Sequence, residues 1–127
     1  MSGDRWVIDT NIALYLLNGD EHLAHMLTDK ELTLSNISRM ELLSFPDISK
    51  KELAKVEVSP EAWPVVEINA LIEEHAVSIR RKHRLKLPDS IIAATAMHLD
   101  IPLVTSDKAM LKLLEELDVI LYEFRPI

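Results

Sequence analysis

Four acidic residues occupy positions from which their side chains could form one common site: Asp9, Glu41, Asp89 and Asp107. They are far apart in the sequence, yet each lies where a short apolar run gives way to a predicted helix. In an open parallel sheet the carboxyl ends of the strands share one edge, and ligands bind in the crevice outside that edge. Four carboxylates gathered there cannot all stay ionised without a cation, and ligands made only of oxygen favour Mg²⁺ or Mn²⁺. The positions therefore predict a divalent metal site.

Each acid taken alone is also typical of a helix cap. Asp9 and Asp107 directly follow apolar segments, and Asp is a favoured N-cap residue. Ser38 and Glu41 have the spacing of a capping box, although apolar neighbours flank Glu41. The joint pattern, in which four acids occupy four junctions of one small chain, favours the metal site over four separate caps.

Asp89 carries the strongest local signal. It follows Pro88, a residue suited to the first helical turn. The positive end of the helix dipole keeps a carboxylate ionised at this position, as a metal ligand must be. Small residues further along the same helix, Ala93, Ala94 and Ala96, allow another element to pack closely.

Alternating strand and helix signals predict the elements that position these acids. With their caps, the predicted strands cover 7–8, 32–36, 65–68, 102–105 and 119–122, and the predicted helices cover 10–18, 21–27, 38–45, 49–56, 69–84, 88–98 and 108–116. This alternation indicates an α/β fold with a parallel sheet. No linker or repeat divides the chain, so residues 1–127 are predicted to form a single domain.

The composition excludes several classes of protein. A hydrophobic content of 48% with 28% charged residues fits a globular domain. No apolar stretch approaches the roughly 20 residues of a membrane span, and no signal peptide is recognisable, so we expect a cytoplasmic protein without membrane contact. The absence of cysteine excludes disulfides and thiolate chemistry. The net charge of −7 argues against non-specific coating of nucleic acid, but not against a nuclease whose acids bind metal.

One basic run precedes Asp89 and contains Arg80, Arg81, Arg84 and Lys86. Cations at the end of a helix favour its carbonyl pole, so the run is compatible with an ordinary solvated helix end. The alternative is that these residues contact the phosphate backbone of a nucleic acid. The sequence leaves both interpretations open.

Four segments together carry a family resemblance: Val7-Ile8-Asp9-Thr10-Asn11, Ser38-Arg39-Met40-Glu41-Leu42, Arg84-Leu85-Lys86-Leu87-Pro88-Asp89-Ser90-Ile91-Ile92-Ala93-Ala94-Thr95-Ala96 and Leu103-Val104-Thr105-Ser106-Asp107. With these segments the sequence resembles PIN-domain ribonucleases of the VapC toxin type, from bacterial toxin–antitoxin pairs. The match covers nearly the whole chain, and the segment around Asp89 is its most specific part. In many relatives an aromatic residue follows the fourth acid, whereas none occurs over 108–111 here.

The resemblance implies a PIN-like fold with a five-stranded parallel sheet flanked by helices. It implies that the four acids bind one or two Mg²⁺ or Mn²⁺ ions, and that hydrogen bonds from Asn11, Ser38 and Thr105 support them. The implied reaction is metal-dependent hydrolysis of an RNA phosphodiester. The implied partners are the RNA substrate, a second copy of the chain in a homodimer, and an antitoxin protein that occludes the site.

Three alternatives remain from the sequence. A phosphatase of the haloacid dehalogenase type also begins with a strand that ends in Asp, but it needs a second acid where Asn11 stands. A receiver domain needs an acidic pair after its first strand, and Asp9-Thr10 does not supply one. A degenerate PIN domain that only binds RNA or protein is disfavoured because all four acidic positions are filled.

Leucines are frequent in the first two predicted helices: Leu14, Leu16, Leu17, Leu23 and Leu27. Some of them are expected in the core. The remainder predict an exposed apolar groove to which an antitoxin segment binds, since exposed apolar patches often mark interfaces.

Overall fold

Five parallel strands form the central sheet of the protein, whose computed structural model describes residues 4–56 and 62–125. The strands lie in the order β3-β2-β1-β4-β5. Their bounds are β1 (Arg5–Ile8), β2 (Glu31–Ser35), β3 (Val65–Val66), β4 (Leu103–Thr105) and β5 (Val119–Leu121). Val7 on the central strand pairs with Thr33 on β2 and with Leu103 on β4. The predicted α/β fold with a five-stranded parallel sheet is confirmed.

Helices cover both faces of this sheet. Their bounds are α1 (Thr10–Leu17), α2 (Glu21–Met26), α3 (Asn36–Leu43), α4 (Lys50–Val56), α5 (Ala70–His83), α6 (Leu87–Leu99) and a 3₁₀ helix (Lys108–Leu113). Successive strand residues point to opposite faces, so Val7 packs with α5 and α6 whereas Ile8 packs with α1 and α2. The two hydrophobic clusters on either side of the sheet therefore hold the strand ends in fixed positions.

The chain reverses its direction of winding at the centre of the sheet. From β1 it moves outward through β2 to β3, then returns to the other side of β1 and continues through β4 to β5. The carboxyl ends of β1 and β4 thus meet at a topological switch point, which is where open α/β sheets bind their ligands. Asp9 follows β1 directly, and its backbone N–H donates to the carbonyl of Val104 at 2.9 Å.

Two predicted helices differ from the structure. The helix expected from Ser38 begins at Asn36, because Ser35 is its N-cap and accepts from the Ile37 N–H at 3.4 Å. The predicted capping box of Ser38 and Glu41 is therefore wrong, since both residues lie inside α3. The helix expected over 108–116 is a 3₁₀ helix that ends at Leu113, in the short connection between two adjacent strands.

The predicted leucine groove on α1 and α2 is also absent from the described part of the chain. Leu23 and Leu27 are buried, and Leu14, Leu16 and Leu17 are half-buried against the same cluster. Among the exposed apolar side chains of the described residues, Met40 lies on α3 and Phe45 on the segment after it.

The predicted single domain includes residues 1–3, 57–61 and 126–127, which lie outside the described residues. In the part that the structure describes, none of the helices combines the length and the apolar character needed to cross a membrane.

Candidate active site

Asp9 is the buried centre of the site. It ends β1 and caps α1, and one carboxylate oxygen accepts from the Thr10 N–H at 2.7 Å. The other oxygen accepts from the hydroxyl of Thr105 at the end of β4, at 2.6 Å. Asp9 is 5% exposed and Thr105 is fully buried. The two central strands thus hold this carboxylate between them.

Thr10 links Asp9 to the third helix. Its hydroxyl donates to Oε1 of Glu41 at 2.7 Å and lies 3.0 Å from the hydroxyl oxygen of Ser38. Ser38 is fully buried, whereas Glu41 is half-buried. The hydrogen bond that orients Glu41 therefore comes from α1, not from a capping box within α3.

Asp89 lies in the first turn of α6, after the N-cap Lys86 and Pro88. The N-terminus of this helix has no side-chain cap, so Asp89 is not a capping residue. Burial raises the pKa of Asp89, and the negative charges of Asp107 and Glu41 raise it further, whereas Lys86 lowers it. Asp89 is thus electrostatically coupled to two of the other acids.

Asp107 caps the 3₁₀ helix and also joins the site. Its carboxylate accepts from the Ala109 N–H at 2.9 Å, and its own N–H donates to the hydroxyl oxygen of Thr105 at 3.0 Å. The Thr105 side chain therefore contacts both Asp9 and Asp107. Asp9 and Asp107 are thus both helix caps, as the sequence allowed. Capping is compatible with a shared site because the capping hydrogen bonds orient the two carboxylates.

The four acids repel one another at the edge of the sheet. Burial raises the pKa of Asp9 from 3.8 to about 6, the hydrogen bonds from Thr105 and Thr10 oppose this rise, and the charges of Asp89 and Asp107 add to it. Glu41 is coupled to the same group through Asp89. The structure therefore brings together all four acids named from the sequence.

Comparison with protein-family models gives one match, to the PIN domain, over residues 6–116. The chain belongs to the PIN-domain family. The matched region contains all four acids, and the resemblance that the sequence indicated is confirmed at the level of the family and the fold.

Solved structures with the same fold include a toxin–antitoxin complex from Klebsiella pneumoniae, with a TM-score of 0.78 and 27% identity over 93% of this chain and 98% of that chain. VapBC2 from Rickettsia felis, bound to a DNA fragment from its promoter, has a TM-score of 0.76 and 17% identity over 94% and 99% of the two chains. VapBC-1 from nontypeable Haemophilus influenzae has a TM-score of 0.67 and 23% identity over 91% and 96%. Comparison with curated proteins found no match.

The donor set of this PIN domain fits a hard divalent cation. All four acids offer only carboxylate oxygens, and their mutual repulsion is relieved by a positive charge between them. Within residues 4–56 and 62–125, no three acidic or histidine side chains already stand in a metal-binding arrangement. The acids are therefore assembled at one edge, and side-chain adjustment is needed to bring them around a common ion.

The remaining residues named from the sequence are less closely joined to the acids of the PIN domain. Asn11 is exposed on α1, and no hydrogen bond recorded between the described residues links it to an acid. In the basic run, Arg80 donates to the carbonyl of Leu85 at 3.3 Å. The exposed side chains of Arg81, Arg84 and Lys86 make no ion pair with another described residue.

Thr10 is the site residue that the sequence reasoning missed. It lies at the first position of α1 and is buried, although a hydroxyl is costly to bury without a partner. Its adjacency to Asp9 was visible in the sequence. Its contact with Glu41 joins residues 31 positions apart and depends on the packing of α1 against α3.

We predict that Asp9→Asn stabilises the metal-free protein above pH 6. The folded pKa of about 6 exceeds the ordinary value of 3.8, so the ionised carboxylate costs the folded state up to about 3 kcal/mol at neutral pH. This cost is fully present above pH 6 and is relieved as the pH falls from about 6 toward 4. Thermal melts in chelator across this pH range should show an advantage for the variant that shrinks with acidification.

Asp118→Asn is the matched control because Asp118 is exposed in a loop. It should follow the wild-type stability curve. A constant difference between Asp9→Asn and wild type from pH 4 to pH 8 would contradict the raised pKa of Asp9.

Proposed function

We propose that the protein is a divalent-metal-dependent endoribonuclease that hydrolyses RNA phosphodiester bonds, and that it is the toxin of a toxin–antitoxin pair. The observation that carries this proposal is the group of four coupled carboxylates at the switch point of a PIN-domain sheet. The 27% identical toxin–antitoxin complex supports the biological role.

In this proposal Asp9, Glu41, Asp89 and Asp107 hold the Mg²⁺ or Mn²⁺ ion. When bound, such a cation supplies a Lewis acid that neutralises the negative charge of the phosphodiester. Thr105 and Thr10 keep the Asp9 and Glu41 carboxylates oriented through hydrogen bonds of 2.6 and 2.7 Å. Asp89, which has no capping bond, is the acid with the most freedom to move toward the ion.

The low number of nucleophilic groups at the site favours hydrolysis over covalent catalysis. The hydroxyls of Thr10 and Thr105 both donate hydrogen bonds to carboxylates. No histidine of the described residues is among the charges that shift the pKa of Asp9 or of Asp89. Acids that hold a hard cation leave part of its coordination sphere to water and substrate. The site therefore suits attack by water on phosphorus.

Removal of either of two acids should abolish cleavage. We predict that Asp9→Asn and Asp89→Asn each reduce Mg²⁺- or Mn²⁺-dependent RNA cleavage by about a hundredfold or more. Even mutation of a residue that only hydrogen-bonds to a metal ligand lowers metal affinity or activity by about 10- to 100-fold. The assay is cleavage of a mixed single-stranded RNA followed on denaturing gels, with chelator as the blank. Asp118→Asn, an exposed acid outside the site, should cleave at the wild-type rate.

Thermal melts with Mn²⁺ separate loss of metal binding from loss of the fold. Wild type should gain about 2.7 kcal/mol when the ion is at 100 times its dissociation constant, and both acid variants should gain less. A variant that cleaves like wild type would remove that acid from the site. A wild-type protein that is stabilised by Mn²⁺ yet cleaves no RNA would favour the alternative of a PIN domain that acts as a binding module.

The basic run supplies candidate phosphate contacts. Lys86 is close enough to Asp89 to lower its pKa, so at least this exposed cation of the run lies beside the acidic site. We predict that Arg81→Gln, Arg84→Gln and Lys86→Gln each weaken RNA binding and reduce its logarithmic salt dependence by about 0.7 per lost contact. Fluorescence anisotropy of labelled single-stranded RNA over a salt series measures both effects.

Lys82 offers a matched control within the same run. Its ammonium group lies 3.2 Å from Glu116, which also contacts His83 at 2.6 Å. Lys82→Gln should leave the salt slope unchanged because this charge is already paired. If all four variants have the wild-type salt slope, the basic run is an ordinary solvated helix end and does not contact RNA.

Arg80, whose guanidinium already donates to a backbone carbonyl, is proposed as a weaker contact.

An antitoxin is proposed to bind the apolar cleft beside Glu41. This cleft of about 450 Å³ is lined by Ile37, Met40, Phe45 and Pro46, and Glu41 forms part of its wall. Met40 and Phe45 are exposed, so a partner that covers them gains apolar burial and also covers the acid. We also propose a homodimer, which light scattering of the purified protein tests.

We predict that Phe45→Asp disrupts the antitoxin complex. A buried charge without a partner is costly, so co-purification with the product of the neighbouring reading frame should be lost. Leu114→Asp changes an exposed apolar residue outside the cleft and should retain the complex. Retention by both variants would exclude this cleft as the antitoxin site.

A further inference from the structure

An aromatic platform lies at the edge of the sheet, outside the acidic site. The rings of Tyr15 on α1 and Phe124 after β5 stack with centroids 4.5 Å apart and an angle of 20° between their planes. Phe124 is 47% exposed. A flat apolar ring that is held on one face by another ring and open on the other is suited to stacking by a planar ligand.

The segment that carries Phe124 leaves the sheet at the same edge as the acids. β5 is parallel to β4, and the Tyr122 N–H donates to the carbonyl of Thr105 at 2.8 Å. Thr105 in turn donates from its side chain to Asp9. Phe124 is therefore only two residues beyond Tyr122, which is hydrogen-bonded to the threonine that holds Asp9.

Helix α1 leads from the acids to the same platform. Asn11, Tyr15 and Asn18 are spaced four and three residues apart, so they share one face of the helix. Tyr15 is six residues from Asp9, which corresponds to roughly 9 Å along the helix axis. A chain lying along this face from the acids reaches the platform within a short distance.

The platform forms one wall of a cleft of about 480 Å³, which polar and charged residues border on its other sides. Asn18 offers an amide, Glu21 a carboxylate and Arg125 a guanidinium. All three are exposed, and Arg125 has no ion pair with another described residue. These groups supply donors and acceptors for the edge of a ring and a positive charge for a phosphate.

The cleft is held in a fixed shape. Asp20 accepts from the Leu23 N–H at 3.0 Å and from the Tyr122 hydroxyl at 2.7 Å. Burial and the neighbouring Asp20 raise the pKa of Tyr122 to about 12, so this hydroxyl keeps its proton. Gly19, at a φ of +84°, makes the turn that places Asp20 against α1. The platform is therefore formed before any ligand binds.

We propose that this cleft is a nucleobase subsite for RNA, in which a base near the cleaved bond stacks on the exposed face of Phe124. Arg125 contacts a phosphate of the same strand, and Asn18 and Glu21 bond the edge of the base. This inference rests on the proposed ribonuclease function, because it assigns the substrate's path from the acids.

The chemistry of the walls favours a nucleotide over a peptide segment. The cleft beside Glu41 has mainly apolar walls, as an amphipathic protein segment requires. Around Phe124 a single stacking surface is bordered by hydrogen-bonding groups and a cation, the combination that binds single-stranded nucleic acid.

The test is equilibrium binding of short, fluorescently labelled single-stranded RNA in chelator, where no cleavage occurs. Phe124→Leu removes the ring but keeps apolar volume, and it should weaken binding about tenfold. Phe124→Trp keeps a stacking surface and should bind at least as tightly as wild type. Leu114→Ala, an exposed apolar residue elsewhere, should match wild type. With abasic RNA the penalty of Phe124→Leu should disappear.

Wild-type affinity of Phe124→Leu would overturn the subsite, and so would an equal penalty on intact and abasic RNA. If Phe124→Leu keeps RNA binding but loses a co-purifying protein partner, the cleft is a protein-docking site and the proposal is wrong. The binding assay does not depend on catalysis. If wild type cleaves no RNA but shows the predicted binding pattern, the ribonuclease proposal fails while the cleft remains a nucleobase-binding site without a cleaved bond beside it.

Discussion

The burial of carboxylates, to which their mutual repulsion adds, is the constraint on which the rest of this site depends. Asp9 is 5% exposed, and the charges of Asp89 and Asp107 oppose its ionisation. A hydrophobic core alone does not tolerate such a group, since a buried charge needs a partner. The fold compensates with two short hydrogen bonds to Asp9, and it leaves the remaining electrostatic cost in place. The proposed cation would relieve that cost, and carboxylates with raised pKa values are typical of functional sites.

Two threonines fix the acids of the site relative to the sheet through hydrogen bonds. Thr105 ends the strand next to that of Asp9, and its hydroxyl contacts both Asp9 and the backbone of Asp107. Thr10 begins the first helix and orients Glu41 on the third. Each threonine thus joins two acids that are distant in sequence. The packing of α1 against α3 and the pairing of β1 with β4 are therefore required for the arrangement of the acids.

Local patterns were sufficient to predict the strands, the parallel α/β class and the grouping of the four acids at one edge of the sheet, because each acid marks a junction between elements. Local patterns failed where two interpretations share one spacing. Ser38 and Glu41 have the separation of a capping box, yet Ser35 caps the helix and Thr10 binds the glutamate. The number of leucines in α1 and α2 also suggested an exposed groove, yet these side chains belong to or pack against the hydrophobic cluster on that side of the sheet. The Tyr15–Phe124 stack joins residues from opposite ends of the chain, so no local pattern predicts it.

The separation of charges would allow a protein with a net charge of −7 to bind the RNA substrate proposed above. Four of its acids are grouped where the proposed divalent cation would reverse the sign of the local charge, so these acids would not repel the proposed substrate once the ion was bound. Lys86, which makes no ion pair with another described residue, lies beside Asp89, and Arg125 lines the same cleft as Phe124. Cations that already form an ion pair, such as Lys82 with Glu116, add to the total charge but would contribute little to the binding of RNA. The distribution of unpaired charge around the switch point, and not the sum over the chain, determines which ligand this edge of the sheet attracts.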